Sequence, residues 1–427
     1  MGQFVIISFF SLSRILGLTV GLMATVLPFP AVRPAPELAS EICELPYDVM
    51  STAEARAMAG DKKNSFLRVS RAELEFPDGT DAYGPEIYER AAANFHKLLE
   101  RGALIQDHKP CYYLYRQQMD NHIQTGIVAI FSCDEYRKSI IKKHEFTRPD
   151  KEDDRVRHVE ALNSQTGPVF LTYPAKAELT KLQEQIASRE PTVSITAPDG
   201  IIHTAWIIDQ DDTIDLIRKQ FEVIPSLYIA DGHHRSAAAN RVDLARNGAG
   251  DSSKFMAVVF PHDQLQILAY NRVIKDLNDM TILNTVKRLS ELGKVTVSDQ
   301  KIPAHKHQVC FYIHSKWHTL DWWPALLDKE KNPIDMLDVS LLQNYVLSPV
   351  FNIQDPRTDK RIAFVGGIRG PQELEKLVNQ GDYMIAFSMH PTSIVDLMEI
   401  ADQDGIMPPK STWFEPKLRD GMFSHMI

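Results

Sequence analysis

The run from Val223 to Ala230 is short and β-rich, and the run from Ser236 to Arg246 is rich in alanine and stopped by Gly248. A strand must therefore hand over to a helix across Asp231-Gly232-His233-His234-Arg235. A strand-to-helix link of this kind is a natural anion site. Gly232 lets the backbone turn and come close to a ligand. The first amides of the helix point outward unpaired, with about half a positive charge behind them. Arg235 adds a bidentate fork, and His233 and His234 supply donors or acceptors near neutral pH. The plainer reading makes Asp231 a helix cap and ties both histidines to backbone carbonyls. Asp, Gly, His, His and Arg together carry more polar function than a cap requires.

With 427 residues, 44% hydrophobic and 24% charged, the chain has material for two or three subdomains. Its 47 basic and 56 acidic residues leave a net charge of −9, which argues against a duplex nucleic-acid surface. Cys43, Cys111, Cys133 and Cys310 are dispersed, with no metal-ligand or disulfide spacing, so a reducing, cytoplasmic setting is expected. Phe4 to Leu27 is apolar, yet its flanks fit neither an export signal nor a membrane anchor. No basic residue precedes Phe4, Arg14 splits the run, and no small-x-small cleavage site precedes Pro28-Phe29-Pro30. Ile6 stands where myristoylation wants Ser or Thr. Residues 1–22 read as an N-terminal extension, Met23 as an alternative start, and no membrane partner is expected.

The pattern along the chain is mixed α/β, with an N-terminal α/β part over 23–140, a phosphate-binding core over 141–250 and a C-terminal α/β part over 251–427. In the first part, Thr52 to Ala59 and Tyr83 to Glu100 read as helices and Ser65 to Val69 as a strand. Cys111 to Arg116 and Thr125 to Cys133 read as a hairpin around Asp120-Asn121. The core alternates strand Val169 to Tyr173, helix Glu178 to Ser188, strand Ala205 to Ile208 and helix Ile214 to Phe221. The last part offers strands Phe255 to Phe260 and Ile267 to Val273, helix Ile282 to Leu292, and a hairpin of Val309 to Ile313 with His318 to Trp323. A βαβα unit follows: Ile362 to Gly366, Gln372 to Asn379, Tyr383 to Ser388 and Ser393 to Asp402. Met407 to Phe423 shows no periodicity.

Two further clusters carry chemistry. Lys142 to Arg157 is dense in both signs of charge, so it is expected outside the core. Glu145 beside His144 is the candidate general base, and Arg148, Asp150 and Arg157 are candidate substrate-binding charges. The bland alternative is a solvated loop whose ion pairs contribute little. Lys410, Ser411 and Thr412 have the residue types that hold a phosphate from a loop, without the glycines of a Walker A motif. A zinc site from His144, His158, His233 and His234 lacks an HExxH-type spacing, so no metal ligand is assigned. Thr392 reads as a helix cap, and Trp317, Trp322 and Trp323 read as packing residues.

Three separated strings together carry a resemblance. They are Lys142-Lys143-His144-Glu145-Phe146-Thr147-Arg148-Pro149, Ala230-Asp231-Gly232-His233-His234-Arg235 and Pro408-Pro409-Lys410-Ser411-Thr412-Trp413-Phe414. With Pro28-Phe29-Pro30-Ala31-Val32-Arg33-Pro34 and Leu45-Pro46-Tyr47-Asp48-Val49, they make the chain from about Met23 closely resemble the bacterial family called domain of unknown function 1015. That family resembles the ParB and sulfiredoxin-like superfamily, in which a Gly-x-His-Arg type box at a helix start grips nucleotide phosphates. Free-serine kinases of that superfamily show a similar Asp-Gly-His-His-Arg string. The resemblance implies a ParB/sulfiredoxin-like domain with an additional α/β subdomain. It also implies phosphate contact from Gly232, His233, His234 and Arg235, extended here to Ser236. Asp231 would orient the loop or help hold Mg²⁺.

The expected function is therefore a phosphotransferase resembling a small-molecule kinase. Glu145, His144 and Asp231 act in catalysis, ATP or ADP and Mg²⁺ serve as cosubstrate and cofactor, and the substrate is a small phosphorylated or hydroxylated metabolite such as serine. A nucleic-acid-binding or nuclease module and a non-catalytic ligand sensor stand as alternatives.

Overall fold

The computed structural model describes residues 23–427. The readings for residues 1–22 lie outside them. The fold is mixed α/β and built on two sheets. The main sheet has nine strands, in the order Ile141–Lys142, Leu227–Asp231, Val169–Tyr173, Lys254–Pro261, His122–Ser132, Tyr112–Met119, Ile202–Ile208 and Val193–Thr196, with Val26–Leu27 also paired to His122–Ser132. Its pairs are antiparallel except for two: Leu227–Asp231 beside Ile141–Lys142, and Lys254–Pro261 beside Val169–Tyr173. The sheet thus draws strands from both sides of residue 140.

The central hairpin, Tyr112–Met119 with His122–Ser132, turns at Asp120 with φ 52°. On one face, Leu114, Phe131, Leu171, Ile229 and Phe255 form an apolar layer with helices Ala177–Ala187 and Asp211–Phe221. Helix His233–Arg246 packs on helix Pro149–Leu162, which in turn packs on helix Pro85–Glu100.

The second sheet is wholly antiparallel: Gly293–Val297, Lys316–Trp322, Gln308–Ile313, Ile385–Ser388, Tyr270–Ile274 and Ile362–Gly366. The expected C-terminal βαβα order is present, and its two strands flank Tyr270–Ile274. Phe170, Val258 and Tyr113 of the main sheet share one buried apolar cluster with Phe311, Phe387 and Ile274 of the second. All four cysteines are buried and free. Among the described residues, no helix is long and apolar enough to cross a membrane.

Several local expectations change. Ser65 to Val69 is not a strand; Leu67–Ser70 is a short helix with Leu67, Val69 and Ser70 buried. An apolar run this short cannot tell a buried helix turn from a strand by periodicity. Ile267 to Val273 divides at Ala269, where Gln266–Leu268 pairs with Trp413–Glu415 and Tyr270–Ile274 joins the second sheet. Ser393, not Thr392, caps helix Ile394–Asp402 through a capping box with Asp396. The Thr392 hydroxyl instead donates to the Ser411 carbonyl at 3.0 Å. Trp317 and Trp322 pack in the interior, whereas Trp323 is exposed.

Candidate functional site

Strands Leu227–Asp231 and Ile141–Lys142 run parallel at the edge of the main sheet, with Tyr228 opposite Lys142. Their continuations therefore emerge at the same end of the sheet, which is where open α/β sheets place ligands. One continuation is Lys143 to Phe146 and the other is Asp231 to Arg235. That register brings together residues some 86 positions apart, as the 3.1 Å bond from the Arg148 amide to His234 Nε2 shows. A register shift between Ile229 and Asp231 re-aims the strand end.

Gly232 has φ 93°, and a Cβ there would lie 3.3 Å from both Arg235 Nε and the Val169 Cα. Only glycine makes this turn without strain or a clash with the guanidinium folded over it. Asp231 accepts from the Gly232 amide at 2.8 Å through one oxygen and from Lys417 Nζ at 3.1 Å through the other. Burial pushes the Asp231 carboxyl up, but Lys417, Arg235 and the Gly232 amide outweigh it and hold the group well below the usual carboxylate range. It is an anion fixed in place. Helix His233–Arg246 then starts with no side chain capping its first turn, so its leading amides remain available.

Arg235 donates to the Pro168 carbonyl, and its buried Nε has no partner. Burial works against its charge, while Asp48, Asp231, Tyr47 and Asp420 outweigh it and raise the pKa. Asp48 is exposed and acts electrostatically on Arg235, His234, Lys410 and Lys417. Arg155 lies 3.8 Å from the centre of the Tyr47 ring and pairs with Asp154 at 2.8 Å.

His144 and His233 are buried and meet edge to face, with ring centres 4.4 Å apart. Burial lowers the pKa of both, that of His144 to about 4, so both rings are neutral near pH 7. By hydrogen-bond geometry neither ring nitrogen of His144 has a partner, nor has His233 Nε2, although the Ile229 backbone also acts on the His144 ring. Glu145 stands beside them, and its carboxyl is raised by burial and by Asp231 against the pull of Lys410. Phe146, 74% exposed, offers apolar surface next to it.

Lys142 to Arg157 is not the solvated charged segment that its composition suggested. His144 is buried, and Pro149–Leu162 is a helix that buries Asp154 and His158. Two of these buried groups have specific partners, which composition does not reveal: Asp154 has the Tyr88 hydroxyl at 3.0 Å and Arg155, and His158 Nε2 has the Val69 carbonyl at 3.0 Å. Arg148 and Asp150 pair with each other in solvent at 2.8 Å, and Arg157 reaches only the Tyr83 carbonyl. The Ser236 hydroxyl donates to the His233 carbonyl at 3.0 Å and that of Ser411 to the Pro408 carbonyl at 2.5 Å, so both face backbone. Lys410 is exposed, 5.2 Å from the Tyr270 ring centre. Burial opposes its charge, but Tyr270, Glu145 and Asp48 raise its pKa. Thr412 is half-buried.

Reading the sequence missed Lys417 and Asp420. Both sit on the segment after Trp413, whose buried residues gave no periodic signal. Tyr47 and Asp48 stood in a family string but were given no role. Burial, reinforced by Asp48, raises the Asp420 carboxyl to about 7, against Arg235 and Arg155. A carboxyl raised on folding stabilises fully below its unfolded pKa and loses that contribution as pH climbs toward the folded value. In urea melts the stability of the parent relative to Asp420→Asn is expected to fall by several kcal/mol between pH 4 and pH 7, at up to about 1.4 kcal/mol per pH unit, and to stay constant above. A difference that is flat with pH would contradict this environment for Asp420.

The fold and the site define a mixed α/β protein with an uncapped helix start that has cations and neutral imidazoles around it. Residues 26–340 match the model of the family described as "Protein of unknown function (DUF1015)", and the chain belongs to that family. No curated protein matches it in sequence. Among solved structures it is similar to a free serine kinase in complex with AMP, at 14% identity and TM-score 0.35 over 67% of this chain and 86% of that one. It is likewise similar to a conserved hypothetical protein from Pyrococcus furiosus, at 14% identity and TM-score 0.35 over 70% and 94%. A third is SbnI with a C-terminal truncation from Staphylococcus aureus, at 10% identity and TM-score 0.38 over 69% and 85%.

Proposed function

We propose that the protein binds a nucleotide or another phosphorylated small molecule at the start of helix His233–Arg246 and transfers a phosphoryl group to a small hydroxylated metabolite such as serine. The observation that carries this reading is the uncapped first turn, facing Arg235 and with Glu145 beside His233. The helix amides and Arg235 hold phosphate oxygens and stabilise charge on the transferred group. The substrate hydroxyl oxygen bonds to phosphorus as the bond to the leaving phosphate breaks, and Glu145 accepts the hydroxyl proton. A carboxyl raised by burial suits a base working near neutral pH. Asp231 orients the loop; with its oxygens on the Gly232 amide and the Lys417 ammonium, it is poorly placed to hold a cation as well. Magnesium, when bound with a nucleotide, would supply charge neutralisation, and Asp48, exposed and acting on Arg235, is the carboxylate that would hold it. The −9 net charge weighs against the nucleic-acid alternative.

Thermal melts against ATP, ADP, AMP and inorganic phosphate test the reading. At a hundred times its Kd, a ligand binding only the folded state stabilises by about 2.7 kcal/mol, so at least one phosphate compound is expected to raise the Tm. A panel in which none moves it, up to millimolar concentrations, contradicts the proposal.

A further inference from the structure

We propose that His144, Glu145 and His233 form a binding site for a divalent transition-metal ion, with Zn²⁺ the best match to the donor set. One donor atom from each of the three residues lies within 4.8 Å of the others. Closing on an ion with bonds of about 2.0–2.1 Å draws them together by roughly an ångström. Two imidazoles and a carboxylate are a set that holds zinc with a position left open, whereas Mg²⁺ prefers oxygen donors in a regular octahedron.

The second observation is the lack of partners. Both His144 nitrogens and His233 Nε2 are buried without a hydrogen bond. A buried polar atom left unsatisfied costs about 1–3 kcal/mol, so two such rings that each bring one nitrogen to within 4.8 Å of a carboxylate oxygen call for a ligand. Neutral imidazole is the ligating form, and both rings are buried. The other histidines once considered for a metal are engaged elsewhere: His158 bonds the Val69 carbonyl, and His234 accepts from the Arg148 amide. The His144 carbonyl accepts from the Met407 amide at 2.8 Å, which ties the backbone of this ligand to the C-terminal segment. Asp231 acts on both rings and adds negative charge near the site, while Lys410 and Lys143 oppose the ion.

The inference does not rest on phosphoryl transfer. A carboxylate bound through one oxygen keeps the other free to accept from the substrate hydroxyl, but a bound dication lowers its basicity, so the metal site and the base role draw on Glu145 in opposite directions. The test uses the full chain, stripped with a chelator, dialysed and titrated with Zn²⁺, and with Co²⁺ as a visible probe. Stoichiometric Zn²⁺ uptake is expected, together with a rise in Tm, cobalt absorption bands of a four- or five-coordinate site and no displacement by millimolar Mg²⁺. His233→Gln and Glu145→Ala should each weaken uptake tenfold or more. The partly exposed Glu145 supplies the variant that keeps the test valid if replacing a buried histidine prevents folding. No stoichiometric uptake, or uptake unchanged in folded Glu145→Ala, overturns the site. Nucleotide melts repeated on the stripped protein separate the two readings: a nucleotide shift without metal uptake sinks only the metal site, and uptake without a nucleotide shift sinks only the transfer reading.

Discussion

Glu145→Gln is expected to lower phosphoryl-transfer turnover by about 10²-fold or more while leaving nucleotide Kd within roughly twofold. The substitution keeps the size and planarity of the side chain and removes its ability to take a proton. Glu145 sits against His144 and His233, whereas the phosphate grip resides in helix amides and Arg235, which the change leaves in place. An interaction made only in the transition state lowers kcat and kcat/KM together, which steady-state kinetics with purified parent and variant can read. Unchanged turnover would remove Glu145 from the chemistry.

Arg235→Ala carries the second large effect. Asp48, Asp231 and Asp420 act on its guanidinium, which keeps its charge despite burial. Loss of a charge-assisted contact to phosphate costs about 1.5–3 kcal/mol, or tenfold and upward in Kd by titration calorimetry. The variant also leaves a buried carboxylate cluster with less positive charge, so its Tm should fall, most at high pH, where Asp420 is ionised. Equal affinities in parent and variant would separate the loop from the binding site.

Residue types made the loop legible. Asp231 to Arg235 lie between a β-rich run and an alanine-rich run, and the local order strand, turn, helix follows without any knowledge of the rest. The partners of the loop were not legible in that way. His144 and Glu145 reach it through the parallel pairing of Ile141–Lys142 with Leu227–Asp231, a register that no local pattern encodes. Lys417 and Asp420 arrive on a buried, aperiodic segment, and Tyr47 and Asp48 come from near the other end of the chain. The charge density of Lys142 to Arg157 pointed to solvent because composition counts charges and cannot see that Asp154 and His158 each find a buried partner. Helices Thr52–Ala59 and Ile282–Leu292 were readable from the sequence, and the structure adds the caps that start them, Ser51 and Thr281.

The central claim is that phosphate sits on the helix start, and a crystal structure of the protein grown with ADP and magnesium tests it directly. The account expects phosphate oxygens within hydrogen-bond distance of the first amides of helix His233–Arg246 and of the Arg235 guanidinium. Ordered ADP bound elsewhere, with that helix start making no contact to it, would contradict the account.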